Sequence, residues 1–203
     1  AGPFDPSVSD ISVSKATIVA DGVDSTVVTV TVRDEDGNPV SGKSVAIGCT
    51  GSGNTIRQPG AVTDALGRAV GSVVSTVAEG KTIGATVDAV SLTETVPVSF
   101  IAGPFDPSVS DISVSKATIV ADGADSTVVT VVVRDAEGNP ISGSVVTLEC
   151  TGSGNEIRQP VGLTGSDGRA VGSVKSTVAE GKTIRSRANG VYLSEIAPVT
   201  FVP

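Results

Sequence analysis

Residues 1–22, AGPFDPSVSDISVSKATIVADG, return unchanged as residues 102–123. The second copy then runs in register with the first, without insertion or deletion, so that Ala1 maps to Ala102 and Ile101 to Val202. An internal repeat of this period constrains the chain more than any other feature. Both copies must adopt the same fold, and each is long enough to be a domain with its own core. The expected domains are 1–101 and 102–203.

The residue types narrow the fold. Four Phe, one Tyr, and no Trp or Met leave valine, isoleucine, alanine and threonine to fill the interior. Branching at Cβ favours strands over helices. In STVVTVTVRD, Val28, Val30 and Val32 alternate with Thr29, Thr31 and Arg33, the period of a strand with one buried face. Similar runs are ISVSKATIV, KSVAIGCT, NTIRQPGAVT, RAVGSVVSTV, KTIGATVDA and SLTETVPVSF. They are separated by turn text such as ADGVDS, DEDGNPVSG and TGSGN. About seven strands per repeat, all antiparallel, predict a Greek-key, immunoglobulin-like β-sandwich.

The junction carries no flexible Gly/Ser tract. Pro104 and Pro107 fix φ around Phe105, which is placed to pack between the domains. Two such domains in line predict an end-to-end rod of roughly 75–90 Å. Cys49 and Cys150 occupy equivalent positions, too far apart in serial domains for a disulfide. Each continues an inward-facing alternation, Val45–Ile47–Cys49 and Val146–Leu148–Cys150, and is expected to be a small core residue.

Several functions are disfavoured. The net charge of −8 and the absence of basic–aromatic tracts argue against nucleic acid. No apolar stretch approaches the length of a bilayer span, so membrane insertion by this segment is not expected. With no histidine, Ser–His and Cys–His nucleophile activation are excluded, and no enzyme is expected. Calcium is the one cofactor with candidate ligands, at Asp34 and Asp36 in DEDGNP and at Asp106 and Asp111 near the junction. A tight turn explains DEDGNP more simply. Lys15 and Lys81 lie near acids, but the aromatic cage of a lysine cross-link is missing, and none is expected.

Three elements in fixed order carry a resemblance: ADGVDSTVVTVTVRDEDGNPVSG, TDALGRAVGSVVST and AEGKTIGATV, closed by VPVSF. The second copy reads ADGADSTVVTVVVRDAEGNPISG, TGSDGRAVGSVKST, AEGKTI and APVTF. This text resembles the bacterial immunoglobulin-like group 1 domain, which builds the extracellular stalks of invasin- and intimin-type adhesins. The resemblance covers nearly all of both copies. It implies a non-catalytic, monomeric stalk repeat at the bacterial cell surface, cut from a larger exported protein and contacting neighbouring repeats. It supplies no adhesive tip.

Differences between the copies suggest the alternative. GATVDAVSL in the first becomes RSRANGVYL in the second, adding Arg185, Arg187 and Tyr192. Alternation puts both arginines on one strand face, with Asn189–Gly190 as the turn before Tyr192. Arg and Tyr are favoured at protein interfaces. The repeats could thus themselves be an adhesion module for a host or surface protein, or an accessory domain of an enzyme whose catalytic part lies elsewhere.

Overall fold

The computed structural model describes residues 1–203 and divides into two compact units, Ala1–Ala102 and Gly103–Pro203. The division falls one residue beyond the expected one. Each unit is a two-sheet β-sandwich, with no helix anywhere in the chain.

The first domain holds nine strands: β1 (Asp10–Val13), β2 (Thr17–Val19), β3 (Thr26–Thr31), β4 (Val45–Cys49), β5 (Asn54–Arg57), β6 (Arg68–Ser75), β7 (Gly80–Val87), β8 (Val90–Ser91) and β9 (Val96–Ile101). One sheet has the order β1-β3-β6-β5 and the other β2-β9-β7-β4, with β8 added on β7. The second domain repeats this plan with β10 (Asp111–Val114), β11 (Thr118–Val120), β12 (Thr127–Val132), β13 (Val146–Cys150), β14 (Asn155–Arg158), β15 (Arg169–Ser176), β16 (Gly181–Ala188), β17 (Val191–Tyr192) and β18 (Ala197–Val202).

Two expectations are corrected. There are nine strands per domain rather than seven, and one pair in each is parallel: β2 with β9, and β11 with β18. The reason lies in ISVSKATIV, which is two strands on two sheets. The buried Thr26 hydroxyl donates to the Lys15 carbonyl (2.8 Å) and accepts from its N–H (3.2 Å). That pairing satisfies the Lys15 backbone groups where the chain leaves β1 and crosses to β2. The last run divides as well, into the short hairpin arm β8 and the strand β9.

The core is aliphatic. Val28, Val30 and Val32 are wholly buried, as the alternation predicts, and they pack with Ile18, Ile83, Val87 and Phe100. Burying each such side chain stabilises by about 1.5–3 kcal/mol before ordering entropy is subtracted. Cys49 and Cys150 are free, half-buried against their own cores, and burial pushes both thiols up from their ordinary pKa.

Strand β4 is a sheet edge, closed in an unusual way. The chain after β5 turns Gln58 onto it: the Ile47 N–H donates to Gln58 Oε1 (2.7 Å), and Gln58 Nε2 donates to the Ile47 carbonyl (2.7 Å). A side-chain amide thus imitates one residue of a neighbouring strand. Gln159 does the same for Leu148.

Candidate functional site

Three constellations stand out, two of them present in both copies. The first surrounds the DEDGNP and DAEGNP turns. Asp34 is buried, and its carboxylate accepts from the Gly2 N–H (2.6 Å), the Asn38 N–H (2.8 Å) and Asn38 Nδ2. The hydrogen bond from Gly2, and then those from Asn38, hold its pKa below the usual carboxylate range. In the second copy Asp135 accepts from the N–H groups of Gly103 (2.8 Å) and Asn139 (2.7 Å). The leading segment of each repeat is therefore pinned to its own domain.

The other residues of that segment follow the same rule. Phe105 bridges to Asp135, and its ring, expected to pack between domains, is half-buried against the core of the second domain, where Phe4 sits in the first. Asp106 receives the Ser108 N–H and hydroxyl (2.7 and 2.6 Å) and donates its own N–H to the Arg134 carbonyl. The Pro107 carbonyl accepts from the Ser194 N–H (2.9 Å), while Pro104 is exposed. Asp111 faces Arg134 at 3.5 Å, and Asp36 is an exposed turn residue. Around none of these aspartates do three acidic or thiol groups converge. Both Asp34 oxygens, and Asp106 Oδ1, already accept from N–H and O–H donors.

The second constellation was visible in the sequence only as a lysine near acids. Lys81 projects from β7 into the core, and its side chain is fully buried. Its ammonium donates to the Ser52 carbonyl (2.6 Å) and Glu79 Oε1 (2.6 Å), and lies 5.7 Å from the centre of the Phe100 ring. Glu79 Oε1 also accepts the Ser52 N–H (2.8 Å). The Lys81 hydrogen bond keeps the Glu79 pKa low. Lys182, Glu180, Ser153 and Phe201 repeat the arrangement. A buried charge is tolerated only when its donors are satisfied, and here they tie the TGSGN loop down.

The third constellation belongs to the second domain alone. Arg185 and Arg187 lie on the outer face of β16, and Tyr192 on β17. Asn189 and Gly190 form the turn between them, both at positive φ. The Tyr192 hydroxyl donates to Glu149 Oε2 (2.7 Å), and the Arg187 guanidinium lies 3.1 Å from Glu149 Oε1 and 4.0 Å above the tyrosine ring. Arg187 Nη2 donates to the Tyr192 hydroxyl, and that hydrogen bond, then the Glu149 charge, raise the Arg187 pKa. Arg187 Nε is buried without a partner. Arg185 stays exposed, opposite Glu149 in register. Glu149 is the member that inspection of the arginines misses. Its signal is that Gly48, Gly84 and Ser91 of the first copy change together to Glu149, Arg185 and Tyr192. In the first domain those small residues leave an open, mainly apolar groove of about 360 Å³ along β4, β7 and β8.

The carboxylates engaged here are ion-paired or hydrogen-bonded, with pKa values held low where they shift. That is the reverse of what a general acid needs.

The sequence profile of the bacterial Ig-like domain (group 1) matches residues 8–101 and again 109–202. The inverse autotransporter adhesin YeeJ of Escherichia coli K12 is 29% identical over 206 residues, covering 98% of this chain but 9% of YeeJ. The chain thus spans under a tenth of that relative. Among solved structures, the E. coli adhesin FdeC matches with a TM-score of 0.75 at 23% identity, over 100% of this chain and 65% of that one. Invasin, described as a bacterial integrin-binding protein, matches with a TM-score of 0.72 at 23% identity, over 100% and 41%. InvD of Yersinia pseudotuberculosis follows at 0.68 and 24%, over 97% and 58%. These structures share the fold.

Proposed function

Because this chain belongs to the bacterial Ig-like domain (group 1) family, with one copy in each half, we propose that its two domains are spacer repeats of a bacterial surface adhesin, holding a separate binding region away from the envelope. The observation that carries this reading is the self-containment of each repeat. The leading segment is latched to its own domain by Asp34 or Asp135. The Ile101 carbonyl is already committed to the Ala20 N–H (2.8 Å). Only Ala102 lies between that last ladder residue and the latched Gly103. Units closed in this way can be joined in series to add length, with no catalytic cleft to keep open. Adhesin relatives on bacterial surfaces support an extracellular setting.

The test uses the parent adhesin on cells. Removing this pair of repeats should preserve receptor binding at close range and shorten reach, measured as loss of adhesion to receptors beneath a thick surface coat. Abolished receptor binding in solution would overturn the spacer reading.

A second reading rests on the Glu149–Arg187–Tyr192 cluster, present in one copy only, with Arg185 exposed beside it. There the second domain itself engages a protein carrying acidic groups. Saturable binding of the purified chain to host cells, lost in Arg185→Ala, would favour it.

A further inference from the structure

We propose that β2 and β9, and likewise β11 and β18, form a mechanical clamp that sets the force each repeat withstands when the chain is pulled from its ends. The clamp is the one parallel ladder in each domain, and it joins a strand near the start of the repeat to the last strand. Its register is Thr17↔Ser99, Ile18↔Phe100 and Val19↔Ile101, repeated as Thr118↔Thr200, Ile119↔Phe201 and Val120↔Val202. Flanking bonds extend it: Ser99 N–H to the Ala16 carbonyl (2.8 Å) and Ala20 N–H to the Ile101 carbonyl (2.8 Å).

Direction is what matters. Tension reaches β2 at its N-terminal end and β9 at its C-terminal end. Because the strands are parallel, those are opposite ends of the ladder. The strands must slide past one another, so the load falls on all the bonds together. An antiparallel hairpin pulled from its two free ends opens one bond at a time.

Three surroundings keep the ladder from fraying under load. Ile18 and Phe100 are 1% and 2% exposed, so water cannot replace the bonds from the inner side. The outer edge of β2 is closed by Asp24, which accepts the Val19 N–H (3.0 Å) and is ion-paired with Lys15. Strand β9 is further held by the Phe100 N–H on the Glu79 carbonyl (3.0 Å), beside the buried Lys81. Strand β1 lies upstream on the other sheet, and its antiparallel ladder with β3 ends at Val13. The clamp is the barrier behind it.

The inference deepens the spacer reading, since a tether between two surfaces is a tether under load, yet the two fail separately. A failed force test removes the clamp and leaves the spacer. A failed deletion test removes the spacer and leaves the mechanics of the ladder.

The experiment is single-molecule pulling of the whole chain from its two ends. Each repeat should open in one step. The released segment from β2 to the end of β9 is roughly 85 residues, giving an extension approaching about 300 Å less the folded span. Rupture under force reports the unfolding barrier rather than equilibrium stability. Ala20→Pro removes the N–H that reaches Ile101 and should lower one of the two peaks, the unaltered repeat serving as reference. Val73→Ala, a buried cavity variant off the clamp, should lower thermal stability while leaving the peak force in place. Equal force loss in both variants would overturn the proposal, and so would unchanged peaks in Ala20→Pro. If the proline variant fails to fold, the wild-type trace decides: stepwise unravelling from one end, in place of two single openings, refutes the clamp.

Discussion

The β7–β8 hairpin turn offers a sharp test, because the two copies solve one backbone problem differently. In the first domain the turn residues are Asp88 and Ala89, at φ 47° and 69°. In the second they are Asn189 and Gly190, at 50° and 84°. Both positions need the left-handed region, as a two-residue type I′ turn does. A Cβ there crowds the following carbonyl and costs about 1–2 kcal/mol. Glycine escapes this strain but gives the unfolded chain extra freedom, worth about 0.4–1 kcal/mol. Ala89→Gly should therefore stabilise the first domain by a net ~1 kcal/mol. For a domain of this size that is a rise in melting temperature of about 4–8 °C. Gly190→Ala should lower the second domain by a similar amount. Hydrogen exchange followed by mass spectrometry on the intact chain reads each repeat from its own peptides, with the untouched repeat as reference. Destabilisation by Ala89→Gly, or indifference to Gly190→Ala, would refute the strain argument.

Three further outcomes are expected. Gln58→Ala exposes the Ile47 N–H and carbonyl on the β4 edge. It should cost about 1–3 kcal/mol and bring concentration-dependent self-association, visible by light scattering. Acid should destabilise the protein below about pH 4, since Asp34, Asp24, Asp88 and Glu79 all have pKa values lowered by the folded state. The unfolded chain binds more protons there, so the stabilisation is complete above the unfolded carboxylate pKa and is lost as pH falls through the folded values. Urea midpoints measured between pH 6 and 2 should show that slope, and a flat profile would contradict it. Cys49 and Cys150, half-buried with raised pKa, should alkylate slowly in the native protein at neutral pH and quickly in denaturant. Equal rates in both conditions would show that the thiols are not packed against the cores.

The domain plan and the core face of β3 were legible because they depend on periodicity: a repeat in register, and valines at every second position. The parallel strand was not. ISVSKATIV alternates well enough to pass for a single strand, and its break depends on Thr26, eleven residues after Lys15, placing its hydroxyl against the backbone. Phe105 shows the same limit. Between two prolines it reads as a junction residue, and its packing on its own domain's core depends on Asp135, thirty-two positions beyond Gly103, holding the segment there. The Arg/Tyr face was half visible. Comparison of the copies identified Arg185, Arg187 and Tyr192, but the glutamate that engages two of them sits on β13, and only register brings it there. The buried lysine was least legible, because its meaning comes from a loop carbonyl that has no sequence signature.

The latch has a consequence for how such arrays change over generations. The 22-residue stretch shared by the copies opens each repeat, and its counterparts Asp34 and Asp135 sit at the same offset from it. Misaligned exchange between the two gene segments would join the front of one copy to the body of the other. Every hybrid would still meet its own latch, its own β1–β3 pairing and its own clamp. Repeat number is then free to expand or contract by whole folds, and length becomes a trait that drift and selection can tune without any intermediate that fails to fold.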